Sequence, residues 1–112
     1  KFLISKEANV NRYGGFYGYP LQVGCVYGHK QIVQMLLKEG AEVNARGGHY
    51  GNALQAAVAE NHEQIFQTLL DRGADVNAPV GYYGNALQAA VVSRNKRILQ
   101  TLLDRGADIN AE

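Results

Sequence analysis

The sequence predicts an all-α solenoid in which stacked helix-turn-helix units are joined by β-hairpin-like loops, and two observations carry that prediction. The first is self-similarity. Tyr50-Gly51-Asn52-Ala53-Leu54-Gln55-Ala56-Ala57 returns as Tyr83-Gly84-Asn85-Ala86-Leu87-Gln88-Ala89-Ala90, and a looser copy, Tyr17-Gly18-Tyr19-Pro20-Leu21-Gln22, precedes both at the same step of 33 residues. A second block keeps that step, as Gly40-Ala41-Glu42-Val43-Asn44-Ala45, Gly73-Ala74-Asp75-Val76-Asn77-Ala78 and Gly106-Ala107-Asp108-Ile109-Asn110-Ala111, with a worn copy at Glu7-Ala8-Asn9-Val10-Asn11. The second observation is apolar spacing at i, i+1, i+4 and i+5 between the blocks, which places those residues on one helical face. A fixed period of this size marks a repeat architecture, whose units complete a core only by stacking on their neighbours.

Each element follows from local chemistry. Asn52 and Asn85 precede Ala-rich runs and suit the N-cap, where a side-chain oxygen accepts from a free amide of the first turn. Pro20 falls just inside the corresponding start of the first unit, where its missing N–H costs nothing. A short helix is therefore expected to begin near residues 20, 53 and 86. After breaks at Gly28-His29, Asn61-His62 and Arg94-Asn95, a second helix follows. Its buried face is Ile32, Val33, Leu36 and Leu37 in one unit, Ile65, Phe66, Leu69 and Leu70 in the next, and Ile98, Leu99, Leu102 and Leu103 in the last. Gly40, Gly73 and Gly106 stop the second helices, because a left-handed residue past a C-terminus is cheap without a Cβ. The loop beyond each stop carries Val43, Val76 or Ile109 as its expected buried anchor.

These motifs resemble ankyrin repeats over the whole chain. The units are expected at residues 14–46, 47–79 and 80–112, after a partial unit in residues 1–13. The Gly-Ala-Asp-Val-Asn-Ala block and Gly28-His29 match the family closely. The Thr-Pro-Leu-His signature that opens the first helix is altered to Asn-Ala-Leu-Gln at Asn52–Gln55 and Asn85–Gln88, and to Tyr-Pro-Leu-Gln at Tyr19–Gln22. Gln still donates and accepts, so a hydrogen bond between repeats is expected to survive in altered form. The longer run Gly-Gly-x-Tyr-Gly-Asn-Ala-Leu-Gln-Ala-Ala is similar to variants in large fungal ankyrin proteins, some with an upstream nucleotide-binding NACHT module.

Composition narrows the function classes. The 112 residues carry 11 Lys plus Arg against 10 Asp plus Glu, a formal charge of +1. No clustered positive charge stands ready to offset nucleic-acid phosphates or an anionic membrane, so neither is expected as a partner. Cys25 is the one cysteine, so no intrachain disulfide and no Cys-based metal centre is expected, and an intracellular, cytoplasmic setting fits best. The nearly apolar stretches, such as Phe2 to Ile4 and Ala86 to Val92, are far shorter than the ~18–20 residues of a membrane span. No signal peptide is visible, and a chain beginning at Lys1 reads as an excised or processed piece.

The weaker chemical signals resolve into structural roles. His29 and His62 share one position in successive units and are expected to brace the turn between helices, about 10 Å apart, too far for a shared metal. Asp71 and Asp104, and Asp75 and Asp108, read as solvated residues copied with the repeat rather than as an acid–base pair. The stretches Gly14-Gly15, Gly47-Gly48 and Gly81 to Gly84 lack the Gly-Lys-Ser/Thr of a phosphate cradle and read as hairpin glycine. Cys25 has Val58 and Val91 as its copies and is expected to be a small buried apolar residue. Arg94, Lys96 and Arg97 form a basic cluster in a solvated turn. No catalytic residue, cofactor or metal is expected, and the protein is not expected to be an enzyme.

Positions that vary inside a fixed repeat are free of packing. In ankyrin proteins the loop tips and first helices line a concave recognition face, and the resemblance maps binding onto Phe16, His49 and Tyr82 at the tips, with Tyr17, Tyr50 and Tyr83 beside them. It also maps binding onto Val26-Tyr27, Ala59-Glu60 and Val92-Ser93 at the ends of the first helices. Within this set the invariant Tyr17, Tyr50 and Tyr83 are expected to pack one hairpin on the next, leaving the tips as the partner contacts. Gln34, Gln67 and Gln100 are expected on the outer side. The last unit keeps its apolar face without a polar cap, and Glu7 stands where its copies have Gly, so the ends are expected to stack on further repeats or on a second copy. The leading function is a non-catalytic protein-interaction module; the alternative is an array that spaces or restrains a neighbouring NTPase-like domain.

Overall fold

A computed structural model of the chain describes residues 11–109. Most of the partial unit in residues 1–13, including Glu7, and the Asn110-Ala111 end of the last block lie outside them. Among the described residues are six helices: α1 (Pro20–Tyr27), α2 (Lys30–Lys38), α3 (Ala53–Ala59), α4 (Glu63–Asp71), α5 (Ala86–Ser93) and α6 (Lys96–Asp104). They pair as α1 with α2, α3 with α4 and α5 with α6, and α3 packs on both α1 and α5 while α2 meets α4. The first helices thus form one layer and the second helices the other, along an array measuring 42 × 22 × 20 Å. Strand is almost absent: among the described residues an antiparallel bridge joins Gly47 and Gly51.

The helix boundaries have local causes. The side-chain oxygens of Asn52 and Asn85 accept from the amides of Gln55 and Gln88 at 2.9 and 2.8 Å, and Pro20 occupies the first turn of α1. At the end of α4, Gly73 takes φ +89°. Its amide donates to Leu70 and that of Ala74 to Leu69, both at 3.0 Å, which satisfies two carbonyls that the helix itself leaves unpaired. Between paired helices the left-handed residue is Gly28, Asn61 or Arg94.

The core is one continuous cluster. Val33, Leu36, Leu37, Ile65, Phe66, Leu69, Leu70, Ile98 and Leu102 are buried from the second helices, and Leu21, Cys25, Leu54, Ala53, Ala56, Ala57, Ala86, Ala89 and Ala90 from the first. Complete burial of one such Leu stabilises by about 1.5–3 kcal/mol. Alanine keeps the inner layer thin: Ala56, Ala57 and Ala89 are 0% exposed.

Position in the stack modifies the repeat pattern. Val43 and Val76 pack partly buried against the core, whereas Ile109 is 72% exposed and is no buried anchor. Leu103 is likewise exposed although Leu37 and Leu70 are buried. Val91 is 60% exposed while its copies Cys25 and Val58 are fully buried, because among the described residues a following unit covers those two but not Val91.

Candidate partner-binding face

The hairpins come close together because glycine lets them. A Cβ on Gly48 would meet the carbonyl of Tyr17, and one on Gly81 would meet the carbonyl of Tyr50. With that space free, the amide of His49 donates to the carbonyl of Phe16 at 3.0 Å and the amide of Tyr82 to the carbonyl of His49 at 2.9 Å. Tips joined by direct backbone bonds sit closer than packed helices, whose axes lie about 8–10 Å apart. Gly48 and Gly81 thus serve the packing of one tip on the next.

Two columns of rings run along that edge. Phe16, His49 and Tyr82 stack with centroids 4.9 Å apart at each step and interplanar angles of 19° and 26°. Behind them Tyr17, Tyr50 and Tyr83 stack at 6.2 and 6.3 Å. Edge contacts tie the columns within each unit, Phe16 to Tyr17 at 5.0 Å, His49 to Tyr50 at 4.8 Å and Tyr82 to Tyr83 at 5.1 Å. Each aromatic pair contributes about 0.5–1.5 kcal/mol beyond its buried area, and each ring is held by two or more neighbours. Hairpin packing is thus shared by both columns, and the tip rings stack more closely than the tyrosines behind them. Phe16 and Tyr82 nevertheless keep 65% and 72% of their surface in solvent.

The ends of the first helices face the inner column. Tyr17 meets the ring of Tyr27 edge-on at 5.9 Å, and the hydroxyl of Tyr50 donates to the carboxylate of Glu60. In the third unit Ser93 donates to the carbonyl of Ala90 at 3.2 Å. Burial, followed by the bond to Glu60 and that carboxylate's charge, pushes the Tyr50 phenol well above its ordinary value. The Tyr17 phenol is also raised, chiefly by its hydrogen bond to Tyr27. Tyr27 and Glu60 are exposed, Ala59 and Ser93 half-buried, and Val92 is 60% exposed. Val26 is the exception among the expected contact residues: it is 8% exposed and its carbonyl faces His62 at 3.1 Å. It points into the interface between units and offers no surface to a partner.

Several side chains act between units. The amide group of Gln22 donates to the carbonyl of Gly47 and that of Gln55 to the carbonyl of Val80, both at 2.7 Å, so Gln does keep a hydrogen bond between repeats. His62 braces the preceding turn through its contact with Val26, while His29 is exposed and stacks on Tyr27 at 6.0 Å. Sequence reasoning assigned no role to the Asn of the second block. Asn44 donates to the carbonyl of Gly73 at 3.0 Å and accepts from Asp75 at 2.7 Å, and Asn11 and Asn77 repeat this bridge. Its signal was recurrence at the 33-residue step with no local partner to explain it.

The remaining polar groups lie on the outer surface. Asp71 pairs with Arg105 at 3.6 Å and Glu63 with Arg97 at 3.5 Å, exposed contacts worth about 0–1 kcal/mol. Arg97, from the basic cluster, is therefore turned toward the preceding unit. Gln67 and Gln100 are exposed and donate to Asp71 and Asp104. Cys25 is buried, and burial raises its thiol to about 12, which keeps it protonated and unreactive at neutral pH. Among the described residues no group of three or more His, Cys, Asp or Glu side chains is placed to hold a metal ion. No helix there is long and apolar enough to cross a membrane.

Comparison with known families agrees with this geometry. A model of ankyrin repeats in three copies matches residues 48–112, and a single ankyrin repeat model matches residues 19–48. No curated protein matches the chain. Ankyrin repeats are generally non-catalytic modules of protein interaction. Stacked helix pairs, tips in backbone contact and polar side chains bridging at a step of 33 residues are the physical content of those matches: the chain belongs to the ankyrin repeat family.

Proposed function

We propose that the chain is a protein-binding module that holds its partner on the concave face, through the tips Phe16, His49 and Tyr82 and the ends of the first helices at Tyr27, Ala59, Glu60, Val92 and Ser93. Units at residues 14–46, 47–79 and 80–112 following a partial unit at 1–13 each supply one row of that face. The observation that supports the reading most is the tip column, two of whose rings are largely solvent-exposed yet stacked. A ring whose rotamer is already held loses little entropy when a partner covers it, so its area converts efficiently into affinity.

Affinity capture with the parent and with a Phe16→Ala, His49→Ala, Tyr82→Ala variant tests this. The variant should retain its helical circular dichroism and lose the captured partner. A Gln34→Ala, Gln67→Ala, Gln100→Ala variant, altered on the outer side, should keep it. A folded tip variant that captures the partner as well as the parent overturns the assignment.

A further inference from the structure

One exposed carboxylate, Glu60, lies beside the inner column at the end of a first helix. In the first two units the hairpin Tyr faces the residue ten positions later at the end of the first helix, giving Tyr17 with Tyr27 and Tyr50 with Glu60. Glu60 is in the middle unit, so its own tyrosine is stacked between Tyr17 and Tyr83. Glu63 and Asp71 have arginine partners, but among the described residues Glu60 has no salt bridge. Its hydrogen bond from Tyr50 orients the carboxylate without neutralising it.

We propose that this place, with Glu60 at its centre, Tyr50 bonded to it, Tyr17 stacked on Tyr50 and Tyr27 against Tyr17, binds a cationic side chain, arginine or lysine, of the partner polypeptide. The inference rests on the reading of the concave face as the partner surface and gives that partner its chemistry. A carboxylate supplies the charge, and the phenol oxygens beside it supply further negative potential that a guanidinium or ammonium group meets favourably. The charge of Glu60 adds to what raises both phenols, after burial and its own hydrogen bond for Tyr50 and after the hydrogen bond to Tyr27 for Tyr17. Tyr27, 58% exposed, leaves one side of the place open for the side chain to enter.

The probe is N-acetyl-arginine amide, titrated while the tyrosine ring resonances are followed by NMR, with N-acetyl-citrulline amide as the neutral isostere. Resonances of Tyr17, Tyr27 and Tyr50 should shift saturably with the arginine compound and stay in place with the citrulline compound. Glu60→Gln keeps an acceptor for Tyr50 and removes the charge; it should weaken binding at least fivefold with thermal unfolding unchanged. Tyr27→Leu, which removes a ring and leaves the carboxylate, should also weaken it. Equal shifts from the citrulline compound, no shift of these rings, or a Glu60→Gln affinity within fivefold of the parent overturns the proposal. The face and the cation site fail separately: a partner lost by the tip variant but bound normally by Glu60→Gln removes the cation site and leaves the face standing.

Discussion

The side-chain amide of Gln55 donates to the carbonyl oxygen of Val80 at 2.7 Å, so a residue in the first helix of one unit holds the hairpin of the next. Gln55 is itself fully buried, whereas its copy Gln88, in the last unit, is exposed. One side chain therefore has two energetic roles, set by whether a following hairpin lies against it.

Gln55→Ala should destabilise the array by about 1–3 kcal/mol, since it leaves a half-buried carbonyl without its donor. Gln88→Ala should stay within about 0.5 kcal/mol of the parent, as a substitution with nothing to lose. Urea unfolding of the two variants measures the difference, and equal losses would contradict the assigned role.

Glycine at the tips should matter more than glycine at the helix ends. Gly73 is left-handed but open to solvent, so Gly73→Ala should cost about 1–2 kcal/mol from backbone conformation alone. At Gly81 the added methyl would also press on the carbonyl of Tyr50, forcing apart hairpins joined by the bond from Tyr82 to His49. Gly81→Ala should cost more than about 3 kcal/mol, combining backbone strain with displaced packing. Thermal unfolding curves for the pair provide the check.

Core and tip should separate in the same assay. Leu69, 0% exposed, should lose about 2–5 kcal/mol on replacement by Ala, through lost transfer energy and the cavity left behind. Replacing Phe16, His49 and Tyr82 removes stacked but partly exposed rings, each pair worth about 0.5–1.5 kcal/mol. The first change should affect folding whatever the ligand, and the second should affect binding in a protein that remains folded.

Stability should fall on the alkaline side for a defined reason. Burial raises the Cys25 thiol from 9.0 to about 12. Between those values the unfolded chain releases a proton that the folded chain keeps, so stability decreases as pH rises and the full contribution is present below pH 9. The slope from this one group approaches about 1.4 kcal/mol per pH unit. The Tyr50 phenol acts in the same direction, but only above its ordinary value of 10.0. Cys25→Val should flatten the loss between about pH 9 and 10 in urea midpoints, and an unchanged slope there would contradict the assignment to the thiol.

What was legible in the sequence was local or periodic. Pro20, Asn52 and Asn85 mark helix starts because a cap acts within three residues of itself, and Leu69 and Leu70 mark a buried face because helical geometry repeats within a turn. The step of 33 residues established stacking, and with it the family. Only the tertiary structure decided what each copy touches. Val58 and Val91 are the same residue at the same position, yet one is sealed and the other 60% exposed. Val26 was expected at the partner face and instead lies buried, its carbonyl against His62 of the next unit. Phe16, His49 and Tyr82 differ in identity, which suggested freedom from packing, but they form the tightest ring column. The physical reason is common to all three: burial and ring contact depend on the neighbouring unit, about 30 residues away along the chain, and no local pattern encodes that distance.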